Sequence, residues 1–195
     1  MGIFELPEGY AEIRRINLQK DKKLAILVNV LALVIMVIMV WLGLAIKSLY
    51  SADTITEATT RQLSSFFTPA FVLLIAIIAY MVGHEIIHGV FIKKYSGKKA
   101  KYGFTGIYAY AGSDAFFNKE QYLVIALAPV VIFGGVFLAL NIFLPQWFWP
   151  IYILQTVNLS GAAGDFYITY AMRKAPADVL TNDEGFEMIL YSRSG

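Results

Sequence analysis

Long uninterrupted apolar runs, separated by shorter polar stretches, set the pattern of the chain. Four of them are long enough to cross a hydrocarbon core of about 30 Å, which takes about 20 apolar residues as helix. They cover residues 24–46, 69–92, 122–144 and 151–172. The first and third carry no charge, the second only Glu85, and the fourth only Asp165. The first run is longer than the roughly 7–15 residues of a signal-peptide core and follows a polar stretch, so it reads as a retained span. Pro145 and Pro150 bracket Gln146-Trp147-Phe148-Trp149, which predicts a tight hairpin between spans three and four with its tryptophans at the water–lipid interface. Pro129 and the pair Gly134-Gly135 predict a bend in span three, which a membrane helix tolerates where neighbours satisfy the freed backbone groups.

Between spans two and three, residues 93–121 form a link too long to be a passive loop. Within it, Tyr102-Gly103-Phe104-Thr105-Gly106-Ile107-Tyr108-Ala109-Tyr110 is aromatic and punctuated by glycine, which predicts a short β-hairpin at the membrane surface. Such a hairpin either offers an edge to an extended peptide or only anchors the loop in lipid; the pattern does not choose. Asn118 followed by Gln121 predicts a capping box at the start of span three. The tail, residues 173–195, is polar around a short apolar patch at Phe186, Met188, Ile189 and Leu190, suited to a strand against that hairpin. The expected fold is all-α and integral to the membrane: one unit of four transmembrane helices with a small cytoplasmic hairpin.

Composition agrees. With 58% hydrophobic and 15% charged residues, the chain departs from soluble domains, which carry about 45–50% and about 25%. A net charge of +2 gives no case for a nucleic-acid partner, and the absence of cysteine excludes thiolate metal sites. The distribution of charge is more telling than its sum. Of 16 lysines and arginines, 14 fall before span one, between spans two and three, or after span four; Lys47 and Arg61 are the exceptions. The positive-inside rule puts those segments, and both termini, in the cytoplasm.

The chain has two histidines, and both lie in His84-Glu85-Ile86-Ile87-His88. Positions i and i+4 share one helix face about 5–6 Å apart, so both imidazoles can bind one metal ion. Glu85 lies beside them, placed to act on water at the metal as a general base, the division of labour of zinc hydrolases. Chance alone produces such a motif in a chain with two histidines about once in a thousand sequences. Burial adds weight, because a charged side chain at mid-bilayer costs about 2.5–3.5 kcal/mol even on lenient scales. Catalytic zinc sites commonly take three protein ligands, and Asp165 is the remaining intramembrane residue with a strong zinc-ligand side chain.

Depth supports that choice. Spans two and four run in the same direction. His84 and His88 lie eight and four residues before the inner end of span two, about 12 and 6 Å at 1.5 Å per residue. Asp165 lies seven residues before the inner end of span four, about 10 Å by the same rise. The run Ser160-Gly161-Ala162-Ala163-Gly164 allows a close helix approach, or is simple packing. Asn158, two turns before Asp165, is a candidate for hydrogen bonding to substrate, as are Tyr108 and Tyr110 of the hairpin.

These residues resemble a known family. His84-Glu85-Ile86-Ile87-His88-Gly89, Tyr108-Ala109-Tyr110-Ala111, Ala126-Leu127-Ala128-Pro129, and Asn158 with Gly161 through Asp165 resemble a family of small four-helix membrane proteins described as zincin peptidases. More distantly the arrangement is similar to the site-2 protease group of intramembrane metalloproteases, which place a ligand Asp on a later membrane helix. That group has an Asn eight residues before the Asp, a Pro three after the Asn, and a Gly after the Asp. This chain has a spacing of seven, Gly161 at the Pro place and Phe166 after Asp165. The resemblance implies a membrane-embedded zinc metallopeptidase domain over residues 1–195. His84, His88 and Asp165 then hold Zn2+, Glu85 is the base, and the partners are the bilayer and a peptide or membrane-protein substrate. Two other readings stand beside it. Metal-ion transporters of the ZIP type carry a similar motif, but with more spans and further intramembrane ligands; a catalytically inactive scaffold needs no Glu85.

Overall fold

A computed structural model describes residues 2–50, 64–106 and 108–193 of the chain. Strand β1 (Tyr10–Ile16) leads into helix α1 (Lys22–Tyr50), and α2 spans Ser64–Ser96. Strands β2 (Lys101–Phe104) and β3 (Ala109–Asn118) then form a hairpin that runs directly into α3 (Lys119–Phe143). After one 3-10 turn at Pro145–Trp147 come α4 (Phe148–Gly161) and α5 (Ala163–Lys174), then β4 (Leu180–Asp183) and β5 (Met188–Arg193).

Local chemistry sets these boundaries. Asp21 caps α1, its Oδ1 accepting the Leu24 amide at 3.0 Å. Gly97 stops α2 in a left-handed conformation, φ +78°, where its amide returns to the Lys93 carbonyl. Asn118 and Gln121 form the expected capping box at the head of α3: the Asn118 side chain accepts the Gln121 amide at 2.9 Å and the Gln121 side chain accepts the Asn118 amide at 3.2 Å. That pair turns an extended strand into a helix without an intervening loop.

Among the described residues, α1, α2 and α3 are long and apolar enough to cross a membrane. The fourth expected span is not one helix. It divides at Ala162 into α4 and α5, and neither piece is long enough by itself. The reason lies in the small run around Gly161 and Gly164: glycine costs about 1 kcal/mol against alanine in a helix interior. The α5 half is also more polar, with Asp165, Thr169, Arg173 and Lys174.

The all-α expectation needs a second correction. Beyond the hairpin and the strand expected from the tail, the described residues build a five-stranded antiparallel sheet in the order β1-β5-β4-β3-β2. The tail supplies β4 and β5, and the polar N-terminal segment supplies the edge strand β1, whose side chains are mostly exposed. The sheet sits where α1 begins, α2 ends, α3 begins and α5 ends, so it gathers one end of all these helices. The segments holding 14 of the 16 basic residues are therefore together at that end of the chain's path. The loop expected beyond the far end of α1 and α2 lies largely outside the described residues.

Two apolar cores result. One lies under the sheet, where Phe117, Met172, Val179 and Leu190 are almost fully buried. The other lies among the helices, where Tyr80, Phe137 and Ile151 meet. The candidate site lies between them.

Candidate active site

Helix α2 carries the motif. His84 and His88 are both buried, with ring centroids 4.9 Å apart, as the one-turn spacing requires. The break at Ala162 places Asp165 in the first turn of α5, and its carboxylate spans both rings. Asp165 Oδ2 lies 3.3 Å from His84 Nε2, and Asp165 Oδ1 lies 3.6 Å from His88 Nε2. Glu85 belongs to the same cluster: it offers a carboxylate oxygen within 4.8 Å of a ring nitrogen of each histidine. The backbone amide of Ala111, on β3, faces that carboxylate.

The other ring nitrogens are engaged as well. His88 Nδ1 lies 2.9 Å from the carbonyl oxygen of Ile125 on α3. His84 Nδ1 lies 3.0 Å from the hydroxyl of Tyr80, one turn earlier on α2, and that hydroxyl donates to Asn158 Oδ1 at 3.2 Å. Asn158 is fully buried and donates from Nδ2 to the Val130 carbonyl at 3.1 Å.

A cleft of about 720 Å3 opens onto the cluster between the start of α1, α2, α5 and β3. Tyr108 and Tyr110 line it beside Glu85. Burial pushes the Tyr108 hydroxyl pKa up, with the Asp183 carboxylate adding to the effect. Gly161 and Gly164 also line the cleft, and a Cβ at either would meet nothing within 4 Å. The packing residues of that run are instead Ala162 and Ala163, both essentially buried. The glycines therefore leave room beside Asp165, while Ala162 and Ala163 do the packing expected of the run. Gly89 has the opposite reason: a Cβ there would strike the Tyr102 ring, so its absence lets the β2–β3 hairpin lie on α2.

The structure thus brings His84, Glu85, His88 and Asp165 together and sets Tyr108 and Tyr110 on the cleft wall. Both polar ends of Asn158 are engaged within the protein, by the Tyr80 hydroxyl and the Val130 carbonyl. Three residues escaped the sequence reading. Tyr80 was legible in principle, since it precedes His84 by the same i,i+4 step that joins the histidines. Asp183 lies in a polar tail, where a carboxylate does not stand out. It accepts hydrogen bonds from the Tyr122 hydroxyl and, at 2.7 Å, from the Gly185 amide, while burial pushes its carboxyl pKa up. Tyr122 sits in an otherwise ordinary apolar helix.

Two histidines one turn apart and the glutamate between them could hold a metal ion, and a carboxylate from a second helix faces both rings. The chain belongs to the family described as "Putative zincin peptidase": the family model matches residues 77–180, more than half of its length. That stretch runs from the motif helix through Asp165 to the start of β4. No curated protein and no solved structure matches the chain.

Proposed function

We propose that the protein is a membrane-embedded zinc metallopeptidase that cleaves peptide bonds of membrane or membrane-proximal substrates. One observation carries this reading: the two oxygens of Asp165 each face the Nε2 atom of a different motif histidine. Each Nδ1 is engaged elsewhere, by the Tyr80 hydroxyl and the Ile125 carbonyl, which leaves both Nε2 atoms toward the Asp165 carboxyl. Two imidazole nitrogens and one carboxylate so placed are a donor set that suits Zn2+. The metal fits the residues present.

His84, His88 and Asp165 would hold the ion. When bound, zinc supplies Lewis acidity to the peptide carbonyl and to water. Glu85 takes a proton from the attacking water and returns it to the leaving amine, and the Ala111 amide helps orient its carboxylate. Tyr108 and Tyr110 line the path along which a peptide reaches Glu85. The apolar outer faces of α1, α2 and α3 support a multi-pass membrane protein. The gathering of 14 of 16 basic residues at the sheet end supports placing that end, and both termini, in the cytoplasm.

The transporter reading loses ground by the same geometry, because the near ligands converge on one closed cluster rather than a series of sites. The test is hydrolysis of a peptide by purified protein supplied with zinc. Glu85→Gln removes the proton acceptor and should lower the rate about 10²- to 10⁴-fold while zinc stays bound. An unchanged rate would remove Glu85 from the chemistry, and loss of zinc together with activity would make it a ligand.

A further inference from the structure

Helix α3 contributes no candidate ligand, yet two of its backbone carbonyls connect to the histidines, one directly and one through Asn158 and Tyr80. In an α-helix the carbonyl of residue i accepts from the N–H of residue i+4. Four residues after Ile125 stands Pro129, which has no N–H, although α3 continues through it from Lys119 to Phe143. The Ile125 carbonyl is therefore free of its helical partner, and a buried carbonyl must find another. It finds His88 Nδ1 at 2.9 Å. A carbonyl oxygen only accepts, so that nitrogen carries the hydrogen. In a neutral imidazole the remaining nitrogen then offers its lone pair, and that nitrogen, Nε2, is the one facing Asp165 at 3.6 Å.

The second carbonyl acts through a relay. Val130 O, again only an acceptor, fixes Asn158 Nδ2 as donor at 3.1 Å and so turns Asn158 Oδ1 toward Tyr80. The single hydroxyl proton of Tyr80 goes to that oxygen at 3.2 Å. The hydroxyl oxygen is left to accept from His84 Nδ1 at 3.0 Å, and His84 Nε2 turns its lone pair toward Asp165 at 3.3 Å. Both rings reach the same tautomer by separate routes that start four residues before Pro129 and one residue after it.

We propose that α3 sets the tautomer of both histidines through the Ile125 and Val130 carbonyls, and that Pro129 is a positioning residue whose missing N–H frees the first of them. The inference rests on His84 and His88 being metal ligands, since only then does the tautomer govern binding. It carries an unusual sign. Replacing Pro129 with alanine improves helix propensity, restores an N–H that competes for the Ile125 carbonyl, and should weaken zinc binding.

The test uses two readouts on the full chain. Nitrogen NMR of protein labelled at its two histidines reports each tautomer without metal. Competition with a chelating dye reports the affinity for Zn2+ alone. The wild type should show hydrogen on Nδ1 of both rings. Pro129→Ala should shift His88 toward a mixture, leave His84 unchanged, and weaken zinc about 10-fold, within the range for lost outer-sphere partners. Tyr80→Phe should do the converse, moving His84 and sparing His88. A chain with lactic acid in place of Pro129 has an ester instead of an N–H, and should restore the wild-type tautomer and affinity. Because it lacks both the ring and the N–H, it separates hydrogen bonding from packing.

Hydrogen on Nε2 of His88 in the wild type would overturn the proposal, even if no variant folds. So would an unchanged tautomer in Pro129→Ala, or a lactic-acid chain that behaves like the alanine variant. If the wild-type tautomers are as expected but the protein binds no zinc, the metallopeptidase reading fails while the role of Pro129 in the hydrogen-bond pattern stands.

Discussion

Helices α1 and α3 are nearly equal in apolar character, yet they have opposite places in the molecule. Only 6% of the most apolar stretch of α1 is buried inside the protein, against 33% for α3. Helix α1 presents Leu33, Val37 and Trp41 outward, whereas α3 buries Ile125, Ala126, Pro129 and Phe137. Apolar runs report that a helix can leave water; they do not say whether lipid or protein receives it, because lipid tails are as apolar as leucine. The distinction lies in small residues, in proline, and in polar side chains on neighbouring helices that use the backbone of α3. Burial within a bundle like this one follows hydrogen bonding and close packing more than hydropathy.

The contrast can be broken by truncating an aromatic residue on each helix. Phe137 on α3 is buried against Tyr80 and Phe133, with centroids 5.8 and 5.7 Å away. Phe137→Ala should cost about 3 kcal/mol, mostly through the cavity it leaves. Trp41 on α1 is 67% exposed, and Trp41→Ala should change stability by less than about 0.5 kcal/mol. Reversible unfolding in mixed micelles measures both. Equal costs would show that α1 packs on something its outward face does not reveal here.

A smaller effect sharpens the same contrast. Gly83 on α2 faces α3, where an added Cβ would lie 2.9 Å from Phe133 Cζ. Gly83→Ala gains helix propensity but forces that ring to move, so it should destabilise by about 1 kcal/mol. A stabilised Gly83→Ala protein would mean that the α2–α3 contact is loose.

The smallest effect belongs to carboxylates around the sheet, which are held by hydrogen bonds and ion pairs at its surface. The side-chain hydrogen bond from Asn17 and the nearby Arg15 hold the Glu187 carboxyl below its ordinary range, and the Arg193 amide and Ser192 hydroxyl do so for Asp178. A carboxyl whose pKa is depressed on folding adds stability above its unfolded value, about 4, and loses it as pH falls through the folded value. Amide protection in β5, taken relative to the intrinsic exchange rate at each pH, should therefore fall below about pH 4, and Asp178→Asn should flatten that dependence. Protection that rises in acid would contradict these pairings.

Much of this arrangement is legible in the sequence, for identifiable reasons. Charged residues inside apolar runs are conspicuous, so Glu85 and Asp165 declare themselves, and the histidines declare each other by spacing. The cap at Asn118 is a local rule that neighbours did not override. Strand β1 was missed because an exposed edge strand such as Tyr10–Ile16 buries too little to alternate clearly. The break at Ala162 was missed because a small-residue run reads equally as a packing face. Tyr80 and Pro129 were passed over as site residues because each is ordinary in an apolar helix; their importance comes from which neighbour receives the hydroxyl and which takes the freed carbonyl. Sequence shows that Ile125 lacks a helical partner, but only the fold supplies His88.

The claim that His84, His88 and Asp165 form one metal site is tested most directly by the zinc content of purified, monodisperse wild-type and Asp165→Ala protein. Stoichiometric zinc in the wild type and its loss in the folded variant is the expected result. Zinc held by folded Asp165→Ala in the same amount and as tightly as in the wild type would place the third ligand elsewhere and contradict the site.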